Sequence, residues 1–140
     1  MQACELCEKP GGERVWSDAR LRVVQVDDPG YPGFLRVIWN DHVREMTDLE
    51  PAARSHLLDV VLAVEEAQRG LLAPDKVNLA SLGTLTPHIH WHVIPRFRGD
   101  PQFPDPVWAP TRGGQPRALP MPAADYRAAL AGALSRRWPA

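Results

Sequence analysis

Along Pro87-His88-Ile89-His90-Trp91-His92-Val93-Ile94-Pro95-Arg96, polar and apolar side chains alternate with a period of two from His88 to Val93. That alternation suits an extended strand, whose successive side chains point to opposite faces. His88, His90 and His92 then project to one side and Ile89, Trp91 and Val93 to the other, so one face is chemical and the other is core. Same-face neighbours on a strand lie about 6.5 to 7 Å apart. Converging imidazoles at that spacing can surround a phosphate-sized anion or hold a metal ion. Three of the five histidines fall within these five residues, too dense a cluster for a passive solvent-facing edge.

Two chemistries compete at this motif. A neutral ring nitrogen can attack phosphorus and form a phosphoramidate that water later hydrolyses, which splits one hard displacement into two easier ones. Alternatively two or three of the rings coordinate zinc and activate water. The pattern alone does not choose between them. Cys4 and Cys7 form a Cys-x-x-Cys pair that needs further ligands to complete a tetrahedral structural zinc site, and His42 and one of the triad are candidates. If His88 is that ligand, the metal clamps the N-terminus beside the active strand. A redox role for the pair lacks the usual strand-before, helix-after context.

The rest of the chain bounds what surrounds the motif. A length of 140 residues predicts a single domain over 1–140. With 17 acidic and 16 basic side chains the net charge is −1, so no general field draws duplex nucleic acid or an anionic membrane. Binding must come from a local site. No apolar run approaches the roughly 20 residues of a membrane span. Met1-Gln2-Ala3-Cys4-Glu5 lacks the basic-then-apolar order of a signal peptide, so the expected location is the cytoplasm, where a stapling disulfide is disfavoured.

Turn and strand signals predict a hairpin from Arg14–Trp16 and Leu21–Val26, a third strand over Phe34–Trp39, and two more over Lys76–Leu82 and Ile89–Phe97. Thr47 with Glu50 predicts a capping box and Pro51 a first helical turn, leading an apolar stripe through Leu57, Val61 and Val64 toward Gly70. Seven of the 15 prolines lie between Arg98 and Pro122, which predicts a loop over 98–122. Tyr126, Leu130, Leu134 and Trp138 recur every four residues and predict a short C-terminal helix over 123–138.

The run His88-Ile-His90-Trp-His92-Val-Ile94 resembles the signature of the histidine triad superfamily, in which His, apolar, His, apolar, His is followed by two apolar positions. The similarity extends over roughly residues 4 to 97, through the Cys-x-x-Cys start, the Pro32-Gly33 turn, Asn40-Asp41-His42, the amphipathic helix and Lys76-Val-Asn-Leu79. The resemblance implies an α+β fold, with an antiparallel sheet of about five strands, one long helix and a homodimer formed through helix and strand. It implies a hydrolase or transferase acting at the α-phosphate of purine nucleotide conjugates, phosphoramidates or dinucleoside polyphosphates, with His90 as nucleophile and His92 binding phosphate and supporting the leaving step. By the same likeness Asp27 would hold ribose hydroxyls, Asn78 would contact the phosphate side, and Cys4, Cys7, His42 and His88 would bind a structural zinc, with no organic cofactor. One departure is Thr84, which stands where the family usually carries an amide that touches the phosphates; a hydroxyl lacks an amide's hydrogen-bond geometry. Arg96 is expected as a solvated strand end and His56 as structural or exposed.

Overall fold

The computed structural model describes residues 3–140. A single helical turn, α1 (Glu5–Glu8), precedes strands β1 (Glu13–Ser17), β2 (Leu21–Gln25) and β3 (Leu35–Trp39). A 3-10 turn at Met46–Asp48 leads into α2 (Pro51–Leu72), followed by β4 (Lys76–Ala80), β5 (His90–Arg96) and α3 (Ala123–Arg137). The sheet has the order β1-β2-β3-β5-β4 with every pairing antiparallel, an α+β architecture with one long helix and one short C-terminal helix.

Both faces of the sheet's centre are covered, which is why β2 reads Leu21-Arg-Val-Val-Gln25 with every residue buried. On one face Leu21, Val23, Leu35, Val37 and Val93 pack against Leu57, Val60, Val61 and Val64 of α2 and against Tyr126, Leu130 and Leu134 of α3. On the other face Val24 and Ile38 pack under Leu6 of α1. A second small cluster there joins Tyr31, Phe34 and Ile94 with Val107 from the proline-rich segment. Register places Arg36, His90 and His92 on that same face, since Ile38 pairs with His90 and Arg36 with His92.

Local details depart from the sequence expectations in three places. The capping box is absent: Thr47 lies in the 3-10 turn and Glu50 makes no side-chain cap. Pro51 at the helix start pushes Glu50 into extended backbone at φ −61°, ψ 150°. The helix runs past Gly70 and stops only where Ala73 turns left-handed at φ 46°, immediately before Pro74. Finally, Arg96 is no solvated strand end. It is 3% exposed and forms a buried ion pair with Asp100, Nε to Oδ2 at 2.8 Å and Nη2 to Oδ1 at 3.0 Å.

That pair organises the segment after β5. Asp100 also accepts from the backbone N–H of Phe97 and Phe103, and from the Tyr31 hydroxyl, while Arg96 lies over the Tyr31 and Phe103 rings. Cross-links from Gln115 N to Gly99 O and from Arg112 N to Pro101 O close the segment on itself without helix or strand.

Gly33 marks the point where the two layers meet. Its carbonyl accepts from Tyr126 Oη at 2.8 Å and Gln68 Nε2 at 3.0 Å. A Cβ there would lie 2.7 Å from Leu72 Cδ1 and 3.0 Å from Pro95 Cγ. Overpacking of that kind costs about 1–3 kcal/mol. Gly33→Ala is therefore expected to lower the unfolding free energy by that amount, read as a lower denaturant midpoint at an unchanged slope.

Candidate active site

The chemical face is built from β5, β3 and the residue that leads into β5. His88 lies just before the strand, 1% exposed, with its own N–H bonded to Thr86 O at 2.8 Å. Its carbonyl receives His90 Nδ1 at 2.6 Å. Because a carbonyl only accepts, Nδ1 of His90 must carry the hydrogen, and Nε2 keeps its lone pair with no protein partner among the described residues.

His92 takes the opposite tautomer. Arg36 Nε lies 3.4 Å from His92 Nδ1, and a guanidinium only donates, so Nδ1 accepts and the neutral ring carries its hydrogen on Nε2. The two rings meet edge to face with centroids 5.1 Å apart, and Phe34 covers His92 edge to face at 5.4 Å. Burial holds His90 below the usual imidazole range, its bond to the His88 carbonyl working against this and Arg36 adding to it. Burial, helped by Arg36 and His90, lowers His92 to about 4. Both rings are neutral at neutral pH.

A cavity of about 450 Å³ opens beside His90, with Arg36, Thr86, Leu6 and Gly11 among its other walls. A larger one, about 780 Å³, runs along β4 and holds none of the triad; its walls include Ala80, which pairs with His92, together with Ile94, Asn78, Arg96 and the half-exposed Trp108. Of these two spaces, only the smaller is walled by a triad histidine.

The remaining sequence candidates fall in different places. Asn78 Oδ1 accepts from Arg96 Nη1 at 2.7 Å, which ties it to the Arg96–Asp100 cluster. Asp27 is exposed at the end of β2. Thr84 is exposed too, and Thr86 is the hydroxyl that borders the His90 cavity. His56 bonds Asp18 at 2.6 Å and packs edge to face on Trp138, remote in role from the triad. Arg36 went unnoticed in the sequence. The available signal was a lone charge inside the apolar run Phe34-Leu-Arg-Val-Ile-Trp39, in phase with the triad's face.

Cys4, Cys7, His42 and His88 converge, with ligand atoms all within 4.8 Å of one another. Cys4 Sγ and Cys7 Sγ lie 3.4 and 3.5 Å from His88 Nδ1, and Cys7 Sγ lies 3.4 Å from His42 Nδ1. Tetrahedral zinc holds thiolate sulfur and imidazole nitrogen about 3.5 Å apart, so this donor set fits that ion. His88 Nε2–H donates to the Trp39 carbonyl, which leaves Nδ1 as the ligating atom. Of the triad only His88 enters this cluster.

Comparison with known proteins adds context to this geometry. The HIT domain family profile matches residues 12–99. No curated protein matches the chain. Similar solved structures include a histidine triad protein from Marinobacter aquaeolei VT8, 28% identical with a TM-score of 0.75, covering 96% of each chain. Another is a histidine triad protein from Bradyrhizobium japonicum, 28% identical with a TM-score of 0.71 and 92% of each chain covered. A Zn-bound histidine triad family protein from Mycobacterium smegmatis shares the fold at 23% identity and a TM-score of 0.64, over 96% of this chain and 95% of that one.

The neutral His92 has a consequence for stability. An unfolded imidazole gains its proton near pH 6.5, whereas His92 in the folded chain holds out to about 4. Between those values the unfolded state binds more protons, so stability falls as pH falls through that window. With partial solvent screening the loss is about 1–2 kcal/mol. Denaturant midpoints recorded from pH 7.5 to 4.5 are expected to show it, and His92→Gln to flatten it.

Proposed function

The chain belongs to the HIT domain family, and from that premise we propose that it is a nucleotide hydrolase or transferase acting at the α-phosphate of purine nucleotide conjugates. The observation that carries the reading is the bond from His90 Nδ1 to the His88 carbonyl, which leaves Nε2 as a fixed, unprotonated lone pair beside a cavity. A neutral imidazole in that state is a nucleophile at neutral pH without prior loss of a proton.

In this mechanism Nε2 of His90 attacks phosphorus as the bond to the leaving group breaks, forming a nucleotidyl-histidine. The positive charge that develops on the ring is shared with Nδ1–H, which the His88 carbonyl already holds. His92 presents Nε2–H as a hydrogen-bond donor toward the phosphate or the leaving atom, and its tautomer is set by Arg36. The leaving group departs with a proton passed through His92 Nε2. Water then attacks phosphorus, the P–N bond breaks to return neutral His90, and the proton that water loses restores His92. Asp27, Asn78 and Thr84 enter the reading as substrate-side residues on family likeness alone, and the geometry supports Thr86 more directly than Thr84.

The Cys4, Cys7, His42, His88 cluster fits a structural zinc that would tie α1 to the residue preceding β5. Four protein ligands would leave no open position for substrate chemistry. The exposed Leu58 and Leu62 of α2 and Leu79 on the edge strand β4 support a homodimer formed through helix and strand. In this reading residues 1–140 act as one cytoplasmic domain, with 98–122 as part of its cover.

Two measurements test the proposal. His90→Asn, assayed with adenosine phosphoramidate and diadenosine polyphosphates, is expected to lose about three or more powers of ten in turnover at unchanged melting temperature; wild-type turnover would sink the nucleophile assignment. Zinc added to metal-stripped protein is expected to raise the melting temperature by about 5 °C or more, and Cys7→Ser to abolish that rise.

A further inference from the structure

Arg36 is set apart from the buried arginines Arg22 and Arg96 by what it lacks. Arg96 is neutralised by Asp100, and Arg22 is wrapped by the carbonyls of Leu6, Lys9 and Pro10 and by Asn40 Oδ1. Among the described residues Arg36 makes two hydrogen bonds: Nε to His92 Nδ1 at 3.4 Å and Nη1 to Gly11 O at 3.2 Å. No carboxylate lies within ion-pair distance among the described residues, and the influence of Glu5 and Asp28 reaches it only from farther away. Its Nη2 edge has no protein partner there, and the residue is half-buried in the wall of the same cavity as His90.

A guanidinium held out of water without a counter-charge is unfavourable, and an arriving anion relieves that cost. Its planar fork also matches two oxygens of one phosphate. The neighbouring imidazoles are already committed elsewhere, His90 Nδ1 to the His88 carbonyl and His92 Nδ1 to Arg36 itself. Lys9 borders the cavity too, but its side chain stands exposed at the rim and faces no triad member through the sheet register. Of these two basic residues, only Arg36 is paired directly across from His92.

We propose that Arg36 is the anion-binding residue of this site: its free guanidinium edge takes non-bridging oxygens of the phosphate that His90 attacks, while its Nε–H keeps the His92 hydrogen on Nε2. The inference rests on the phosphoryl-transfer reading above and adds to it the source of the positive charge. Arg36 thereby selects for ligands that carry an anionic phosphate at the reacting centre, and the same residue aligns the hydrogen-bond donor beside it.

The test pairs binding with spectroscopy and uses inorganic phosphate and AMP as probes. Calorimetric titration of wild type, Arg36→Gln and Arg36→Lys is expected to show Arg36→Gln weakened about tenfold or more toward both probes. Arg36→Lys keeps the charge but loses the fork and is expected to fall between wild type and Arg36→Gln, about three- to tenfold weaker than wild type. It also keeps the experiment decisive if the Gln variant does not fold, since Lys must then bind phosphate while losing the single His92 tautomer. Nitrogen-15 spectra of His92 report that tautomer directly and would not move for a purely structural role. Turnover of adenosine phosphoramidate, as kcat/KM, is expected to fall about 100-fold in Arg36→Gln. Equal phosphate affinity in wild type and Arg36→Gln overturns the inference and leaves the nucleotide reading standing. Phosphate binding that depends on Arg36 in a protein that turns over no nucleotide sustains the inference and sinks that reading. A wild type that binds neither probe overturns the inference outright.

Discussion

The antiparallel register between β3 and β5 is the constraint on which the site depends. Pairing Ile38 with His90 and Arg36 with His92 places the guanidinium and two imidazoles on one face, while Leu35, Val37 and Val93 go to the helices. A slip of one residue would exchange the faces, burying three polar side chains under α2 and exposing the core. The sheet cannot make that slip cheaply because both faces are already committed, one to α2 and α3, the other to Leu6 on one flank and Val107 on the other. Core packing and site geometry are thus one specification.

The electrostatics follow from the same burial. Imidazoles removed from water stay neutral, which preserves the lone pair of His90 and the donor hydrogen of His92. Their protonation is further restrained by the nearby guanidinium. Backbone and side-chain partners then decide which nitrogen carries each hydrogen, a carbonyl for one ring and a guanidinium for the other. The neighbouring histidines hold complementary tautomers for that reason, not because their chemistry differs.

Much of the fold was legible in the sequence because its elements obey local rules. Period two marked β5, the apolar stripe marked α2, and proline density marked the segment after Arg98. Errors arose where a neighbour overrode the local signal. Pro51 displaced the side-chain cap suggested by Thr47 and Glu50, and Gly70 continued the helix because its exposed position asks nothing of a side chain. Within the site, His90 and His92 were legible from alternation alone. Arg36 was not, since its meaning depends on a strand more than 50 residues away. Arg96 was misread for the same reason: a charge at a strand end looks solvated until Asp100 is folded onto it.

The acceptor that aims His90 is the carbonyl of His88, a group that every amino acid supplies. Substituting the side chain at position 88 would remove a metal-compatible ligand and a contact to Trp39, yet leave that acceptor in place as long as the backbone path holds. Aim is therefore inherited from chain geometry and shielded from single-codon change, whereas the surrounding walls, made of side chains such as Leu6 and Thr86, are open to drift. A lineage built this way is free to exchange one ligand for another while its reactive nitrogen keeps its bearing.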